Sequence, residues 1–227
     1  TKSGAIIFDG GSSSEDQVGR YRILPYMKYL GYQKIQIAVI SHMDIDHYSG
    51  IKELLEMGKI KYLGLPEIPK DATMKKIIGI AKKRGTTIFY LSRGRQITTK
   101  DGSLKVLHPQ KNSQMEKNAA SLVMQGKILG YRVLLTGDVE KEGEEELLSE
   151  ELERADILKA AHHGSKNSTS NEFLQKVQPK QTVISCGKQN RYGHPHLETI
   201  HRLQTYRTKI YRTDRSGAII FFKRRDG

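Results

Sequence analysis

Four residues of metal-ligating type occupy the six positions His42-Met43-Asp44-Ile45-Asp46-His47, directly behind the apolar run Ile37-Ala38-Val39-Ile40. Imidazole nitrogens and carboxylate oxygens are the usual ligands of first-row divalent cations, and a loop leaving a buried strand can aim several at one place. The competing reading is a polar loop in which Asp46 caps the next helix. We read the cluster as half of a two-metal hydrolytic site. Three further candidates also follow expected core strands: Asp138 in Leu134-Leu135-Thr136-Gly137-Asp138, the pair His162-His163, and His194 in Tyr192-Gly193-His194-Pro195-His196. Strand ends on one sheet edge converge, and a carboxylate there can bridge two cations roughly 3.5–4 Å apart. Asp138 receives that role.

Two divalent cations lower the pKa of a shared water toward neutrality and withdraw charge from the oxygen of the group under attack. A departing alkoxide then needs a proton, which His162 or His163 can supply. Ser165 and Lys166, beside the histidines, are candidate phosphate contacts. Each has a plainer alternative: Asp138 as a turn residue, the histidines as satisfied core groups, Lys166 as a solvated lysine. His108, His196 and His201 are assigned to structure, Asp9 to a turn or to orienting a ligand, and Cys186 to the core.

The chain of 227 residues carries 38 Lys+Arg against 25 Asp+Glu, a net charge of +13. Residues 140–153 hold eight Glu and one Lys, which leaves 37 basic against 17 acidic residues elsewhere. Such a surface attracts polyanions, nucleic acid first among them. The single cysteine excludes an internal disulfide and a cysteine-rich zinc site. No apolar run approaches the roughly 20 residues of a bilayer span. The start Thr1-Lys2-Ser3-Gly4 has neither an initiator Met nor a signal peptide, as expected of an excised piece of a longer protein.

Positioning these residues requires buried strands. We expect strands at 5–8, 35–40 and 60–65, and helices from Leu24 to Gly31, over 51–57 and over 71–84 with a solvated Lys-rich face. A strand-rich meander follows at 86–91, 95–99, 103–107, 121–125 and 132–136. Then come an acidic helix over 140–153, a strand over 156–161, a helix over 171–177, a strand over 181–185, a helix over 197–206, and closing strands at 209–213 and 217–222. Tail residues 223–227 are basic. The order favours two sheets packed together with helices outside.

The pattern His42-x-Asp44-x-Asp46-His47 resembles the His-x-His-x-Asp-His signature of the metallo-β-lactamase superfamily, with Asp44 in place of the second histidine. Within it the chain is similar to the C-terminal hydrolase domains of ComEC-type bacterial DNA-uptake channels. Asp9-Gly10-Gly11, Asn118 to Ser121, Leu135-Thr136-Gly137-Asp138, His162-His163-Gly164-Ser165-Lys166 and Asn190-Arg191-Tyr192-Gly193-His194-Pro195 extend the likeness. It implies a four-layer αββα sandwich over 1–222, without the family's first strand and glycine turn. It also implies His42 and Asp44 on one metal, Asp46, His47 and His194 on the other, and Asp138 between them. The family's separate histidine before the bridging Asp has no counterpart, since Asn118–Ser121 lies there. Three carboxylates harden the site and favour Mn²⁺ or Mg²⁺, with Zn²⁺ as the alternative.

The expected function is a metal-dependent nuclease acting on DNA in natural transformation. Its expected partners are DNA and the membrane-channel portion of the same parent, as a soluble domain of a bacterial cell-membrane protein. The alternatives are hydrolysis of a small ester, thioester or lactone, and a catalytically idle DNA-binding module of a channel.

Overall fold

Along β2 (Ile35–Val39) the side chains of Ile37 and Val39 join one apolar layer while that of Ala38 joins another. That two-residue period marks a strand covered on both faces. The computed structural model describes residues 4–116 and 118–222. In it β2 lies between β1 (Ala5–Phe8) and β3 (Ile60–Pro66), with β4 (Thr87–Leu91) beyond, all parallel. The second sheet has the order β11-β10-β9-β8-β7-β6-β5. Its antiparallel part is β5 (Gln96–Thr99), β6 (Gly102–His108), β7 (Val123–Ile128) and β8 (Tyr131–Leu135). From β8 onward it is parallel through β9 (Ile157–Lys159), β10 (Gln181–Ile184) and β11 (Lys209–Arg212).

Three apolar layers separate four layers of structure. In the first, Met27 of α1 (Leu24–Tyr29), Ile51, Leu54 and Leu55 of α2 (Ile45–Glu56) and Met74, Ile77 and Ala81 of α3 (Ala72–Lys83) cover Ala38, Leu63 and Leu65. Between the sheets, Val39 and Leu91 meet Leu104, Val106, Leu122 and Met124. In the third, Leu134 and Leu158 are covered by Leu147 of α4 (Lys141–Leu148), Phe173 of α5 (Asn171–Val177) and Leu203 of α6 (Leu197–Thr205). The expected αββα sandwich is what forms. No helix among the described residues is long and apolar enough to cross a membrane.

Some expected boundaries are corrected. The helix expected from residue 51 begins at Ile45, and the acidic helix ends at Leu148 rather than 153. Residues 217–222 form no strand. After β11 the chain makes one helical turn, α7 (Thr213–Ser216), where Asp214 accepts from Arg212 at 2.6 Å, and it leaves through Gly217 at φ 67°. Phe221 instead packs edge-on against Tyr131 and Tyr211. The tail expected at 223–227 lies outside the described residues.

Asp156, at the entry to β9, ties three strands together. Its buried carboxylate accepts the Arg132 N–H at 2.9 Å and lies 2.8 Å from Lys180 Nζ. Burial opposes its ionisation, yet these partners hold it down to about 2, from an ordinary 3.8. A depressed carboxyl stabilises the fold above its unfolded value, and that contribution is lost as pH falls through the folded value. Asp156→Asn is expected to cost on the order of 2 kcal/mol at neutral pH. It should also flatten the decline of urea midpoints between roughly pH 4 and 2; a variant as acid-sensitive as the native chain would refute this.

Candidate metal centre

Asp44 is extended (φ −94°, ψ 147°) and stands at the N-cap of α2, where its carbonyl accepts the N–H groups of His47 at 3.0 Å and Tyr48 at 3.2 Å. The helix therefore starts inside the ligand motif. Asp46 falls in its first turn, where the helix dipole favours a carboxylate, and His47 points inward. Ser41 and His42 form the link from β2, and the His42 and His47 rings lie 4.1 Å apart. Asp9, just past β1 at φ 58°, accepts from Ser41 N at 2.7 Å and Ser41 Oγ at 2.8 Å, and meets His47 Nδ1 at 2.8 Å.

The opposite edge comes from the second sheet. Gly137, at φ 52°, turns the chain after β8, and Asp138 N donates to Ser121 Oγ at 3.3 Å. Past β9, His162 and His163 stand at φ 44° and 53°, in the left-handed region that side chains rarely occupy. This backbone turns both rings toward Asp138. His162 Nδ1 meets Glu140 Oε1 at 2.6 Å, and His163 Nδ1 meets the Ser185 carbonyl at 2.6 Å.

The partners fix the tautomers. A carbonyl or carboxylate only accepts, so His163 Nδ1 and His47 Nδ1 both donate. Ser41 Oγ gives its proton to Asp9 and is left to accept from His42 Nδ1 at 3.0 Å. In the neutral rings the lone pair then sits on Nε2 in all three. Those atoms, His42 Nε2, His47 Nε2 and His163 Nε2, are buried without a hydrogen-bond partner, as is Asp138 Oδ1. Buried polar atoms are rarely left so, and a cation would satisfy all four. The donors fit divalent metal.

Among the described residues, two groups have the spacing to hold an ion: His42, His47 and Asp138, and Asp46, His47 and His163. Asp138 Oδ2 lies 3.0 Å from His47 Nε2 and 3.2 Å from His163 Nε2, so it touches both groups. Asp46 Oδ2 is 3.2 Å from His163 Nε2, and Asp44 Oδ2 is 3.6 Å from His42 Nε2. Electrostatics bind the cluster. Burial alone would lower His47, but Asp9 and Asp138 raise it to about 10. Burial likewise opposes charge on His163, which Asp138 and Asp46 raise to about 9. Despite its burial Asp138 is held well below the carboxylate range by His47 and Lys159, whose Nζ is 3.6 Å from Oδ1.

A model of the metallo-β-lactamase superfamily matches residues 1–188. The chain belongs to that superfamily. Among its relatives, ComE operon protein 3 of Bacillus subtilis is 37% identical over 92% of this chain and 27% of its own length. Competence protein ComA of Neisseria gonorrhoeae is 31% identical over 98% of this chain and 30% of its own. The chain thus spans about three tenths or less of these relatives, and the likeness to competence proteins is borne out. The metallo-β-lactamase fold protein YhfI of Bacillus subtilis matches with a TM-score of 0.59 at 15% identity, over 93% of this chain and 85% of that one.

Within this metallo-β-lactamase fold, the expected residues reach the site unequally. His42, Asp46, His47, Asp138 and His163 converge in the two groups, and Asp44 stands beside them. His194 remains outside both, its ring 5.3 Å from that of His162 and 6.3 Å from that of His163. Ser165 is buried in the turn after the histidines, where its Oγ accepts from Asn167 N, and Lys166 is exposed. His108, assigned to structure, has its buried ring 3.1 Å from Glu146 and 2.7 Å from the Ala119 carbonyl. Cys186 is partly buried against the apolar layer of the second sheet, as expected, and also lines a cleft, 3.4 Å from Asp214.

Glu140 and Lys159 were missed. Nothing in their local sequence separates them from other charged residues. Asp9 contacts Ser41 and His47 Nδ1, the geometry of the ligand-orienting alternative, and removing its charge tests that role. Asp9→Asn is expected to lower affinity for Mn²⁺ about 10- to 100-fold, measured by titration calorimetry, with the fold retained by circular dichroism. Unchanged affinity would leave Asp9 as a turn residue only.

Proposed function

We propose that the chain is a metal-dependent phosphodiesterase that hydrolyses DNA. The observation that carries this reading is the set of three imidazoles, each tautomer fixed with Nε2 inward, around the carboxylate of Asp138. One Nε2 has one lone pair and can serve one ion, whereas a carboxylate can serve two. In this reading His42 and Asp138, with Asp44 alongside, would hold one cation, and Asp46, His47 and His163, with Asp138, would hold the other. When bound, the pair supplies an acidified water and neutralises charge on the phosphoryl oxygens. Three aspartates favour Mn²⁺ or Mg²⁺ over Zn²⁺.

His162 stands beside this set. Its Nδ1 donates to Glu140 Oε1, so the second proton of its imidazolium form sits on Nε2, 4.0 Å from Asp138 Oδ2 and facing the reaction site. It gives that proton to the departing alkoxide. DNA as substrate draws support from the net charge of +13 and from the competence proteins among the relatives. That likeness also supports action in natural transformation, with the membrane-channel part of the same parent as partner.

Purified protein with Mn²⁺ should cut single- or double-stranded DNA. DNA left intact where a control nuclease cuts would end the proposal. His162→Ala is expected to lower kcat about 100-fold or more with metal content unchanged, as loss of a general acid does. An equal loss of bound metal would make His162 a ligand instead.

A further inference from the structure

A cleft of about 820 Å³ opens from the metal centre, with Asp46, His163 and His194 at its base and residues 11–15 and 185–192 as its walls. It is much larger than the cations need. The base is polar and acidic, but one wall carries Tyr192, half exposed at 51%. Its ring is stacked on that of His194, with centroids 5.7 Å apart and planes inclined by 25°. The Arg191 guanidinium lies 4.8 Å from the Tyr192 centroid and donates to its hydroxyl at 2.6 Å. His194, Tyr192 and Arg191 thus form a run of planar groups leading from the cluster to solvent.

The run is held in place. Asn190 Nδ2 donates to the carbonyls of Gly187 at 2.9 Å and His194 at 2.6 Å, while its Oδ1 accepts from His194 N at 2.8 Å. Closing the loop on itself positions Tyr192 before anything binds, which lowers the ordering cost of binding. An exposed aromatic flanked by Arg191 and Lys188 suits a ligand with a flat apolar face and a negative backbone. A duplex has its bases paired and stacked inward and offers Tyr192 no free face. An unpaired strand does.

We propose that Tyr192, with His194 beside one face of its ring and Arg191 at its hydroxyl, is a stacking platform for an unpaired nucleobase and gives this site a preference for single-stranded DNA. The proposal rests on reading the site as a DNA phosphodiesterase. The planar run leads from a base stacked on Tyr192 past His194 to the ligands, so the phosphodiester presented to His162 lies inward of that base along the strand.

Binding tests the platform without any turnover. Fluorescence anisotropy would compare a labelled thymidine oligonucleotide, an abasic oligonucleotide of the same length, and a duplex, in Ca²⁺ and again in chelator. The native chain should favour the thymidine strand over the abasic strand by about 10-fold or more, the scale of one base stacked on an aromatic side chain. Tyr192→Ala should lose that preference and Tyr192→Phe should keep it. A merely structural role for Tyr192 would weaken binding of both strands alike. Absence of the preference in the native chain, or its survival in Tyr192→Ala, would overturn the platform. Cleavage with Mn²⁺, followed separately, distinguishes the two readings. Preference without cleavage sinks the nuclease and spares the platform; cleavage without preference does the reverse.

Discussion

Asp138→Ala is expected to lower Mn²⁺-dependent DNA cleavage at least about 1,000-fold, since each tenfold is about 1.4 kcal/mol and metal stabilisation of the transferred charge is worth several. Asp138 shares ligand spacing with His42, and its Oδ2 lies within 3.2 Å of both His47 and His163. Without it neither ion keeps its full set. Metal analysis should show fewer than two equivalents retained. Asp138 is held ionised by His47 and Lys159, so removing it leaves their charge unopposed and costs stability as well. Thermal melts in chelator should show the variant folded but melting below the native chain. A variant that keeps two ions and a tenth of the activity would remove Asp138 from the bridging position.

Much of this arrangement was legible because short-range rules govern it. Ile37 to Ile40 is apolar and β-branched enough to be a buried strand, and ligand residues directly behind such a strand have few other uses. The remainder depends on contacts between distant parts of the chain. The start of α2 at Ile45 follows from the extended backbone of Asp44, which no pattern of apolar residues records. His162 and His163 look alike in sequence. The Ser185 carbonyl and Glu140, both 22 residues away, separate the inward ring from the one at the edge. The run Ile219 to Phe222 has the composition of a strand, yet the Arg212–Asp214 pair and Gly217 turn the chain before it can join the sheet. Composition reports what a segment can do, and here an ion pair decided it.

Gly50→Ala and Gly79→Ala are expected to change stability in opposite directions, although both sites lie within helices. Alanine in place of an interior helical glycine contributes about 1 kcal/mol through backbone entropy. Gly79 in α3 is exposed, and a Cβ there meets nothing within 4 Å, so the gain should appear in full. Gly50 in α2 sits against the loop after β1, where Ile51 N donates to the Gly10 carbonyl at 3.0 Å. A Cβ at Gly50 would lie 2.5 Å from Gly10 O and 3.0 Å from Gly19 N, both backbone atoms. Helix and loop must part to admit it. Overpacking of that kind costs about 1–3 kcal/mol, occasionally more, which exceeds the entropic gain. The loop that moves carries Asp9, one residue before Gly10, and Asp9 holds His47 and Ser41. Gly50→Ala should therefore lose Mn²⁺ affinity together with stability, whereas Gly79→Ala should gain stability with metal binding untouched. Urea unfolding and calorimetry on the two variants would decide it, and a Gly50→Ala chain that bound metal normally would mean Asp9 is anchored independently of that seam.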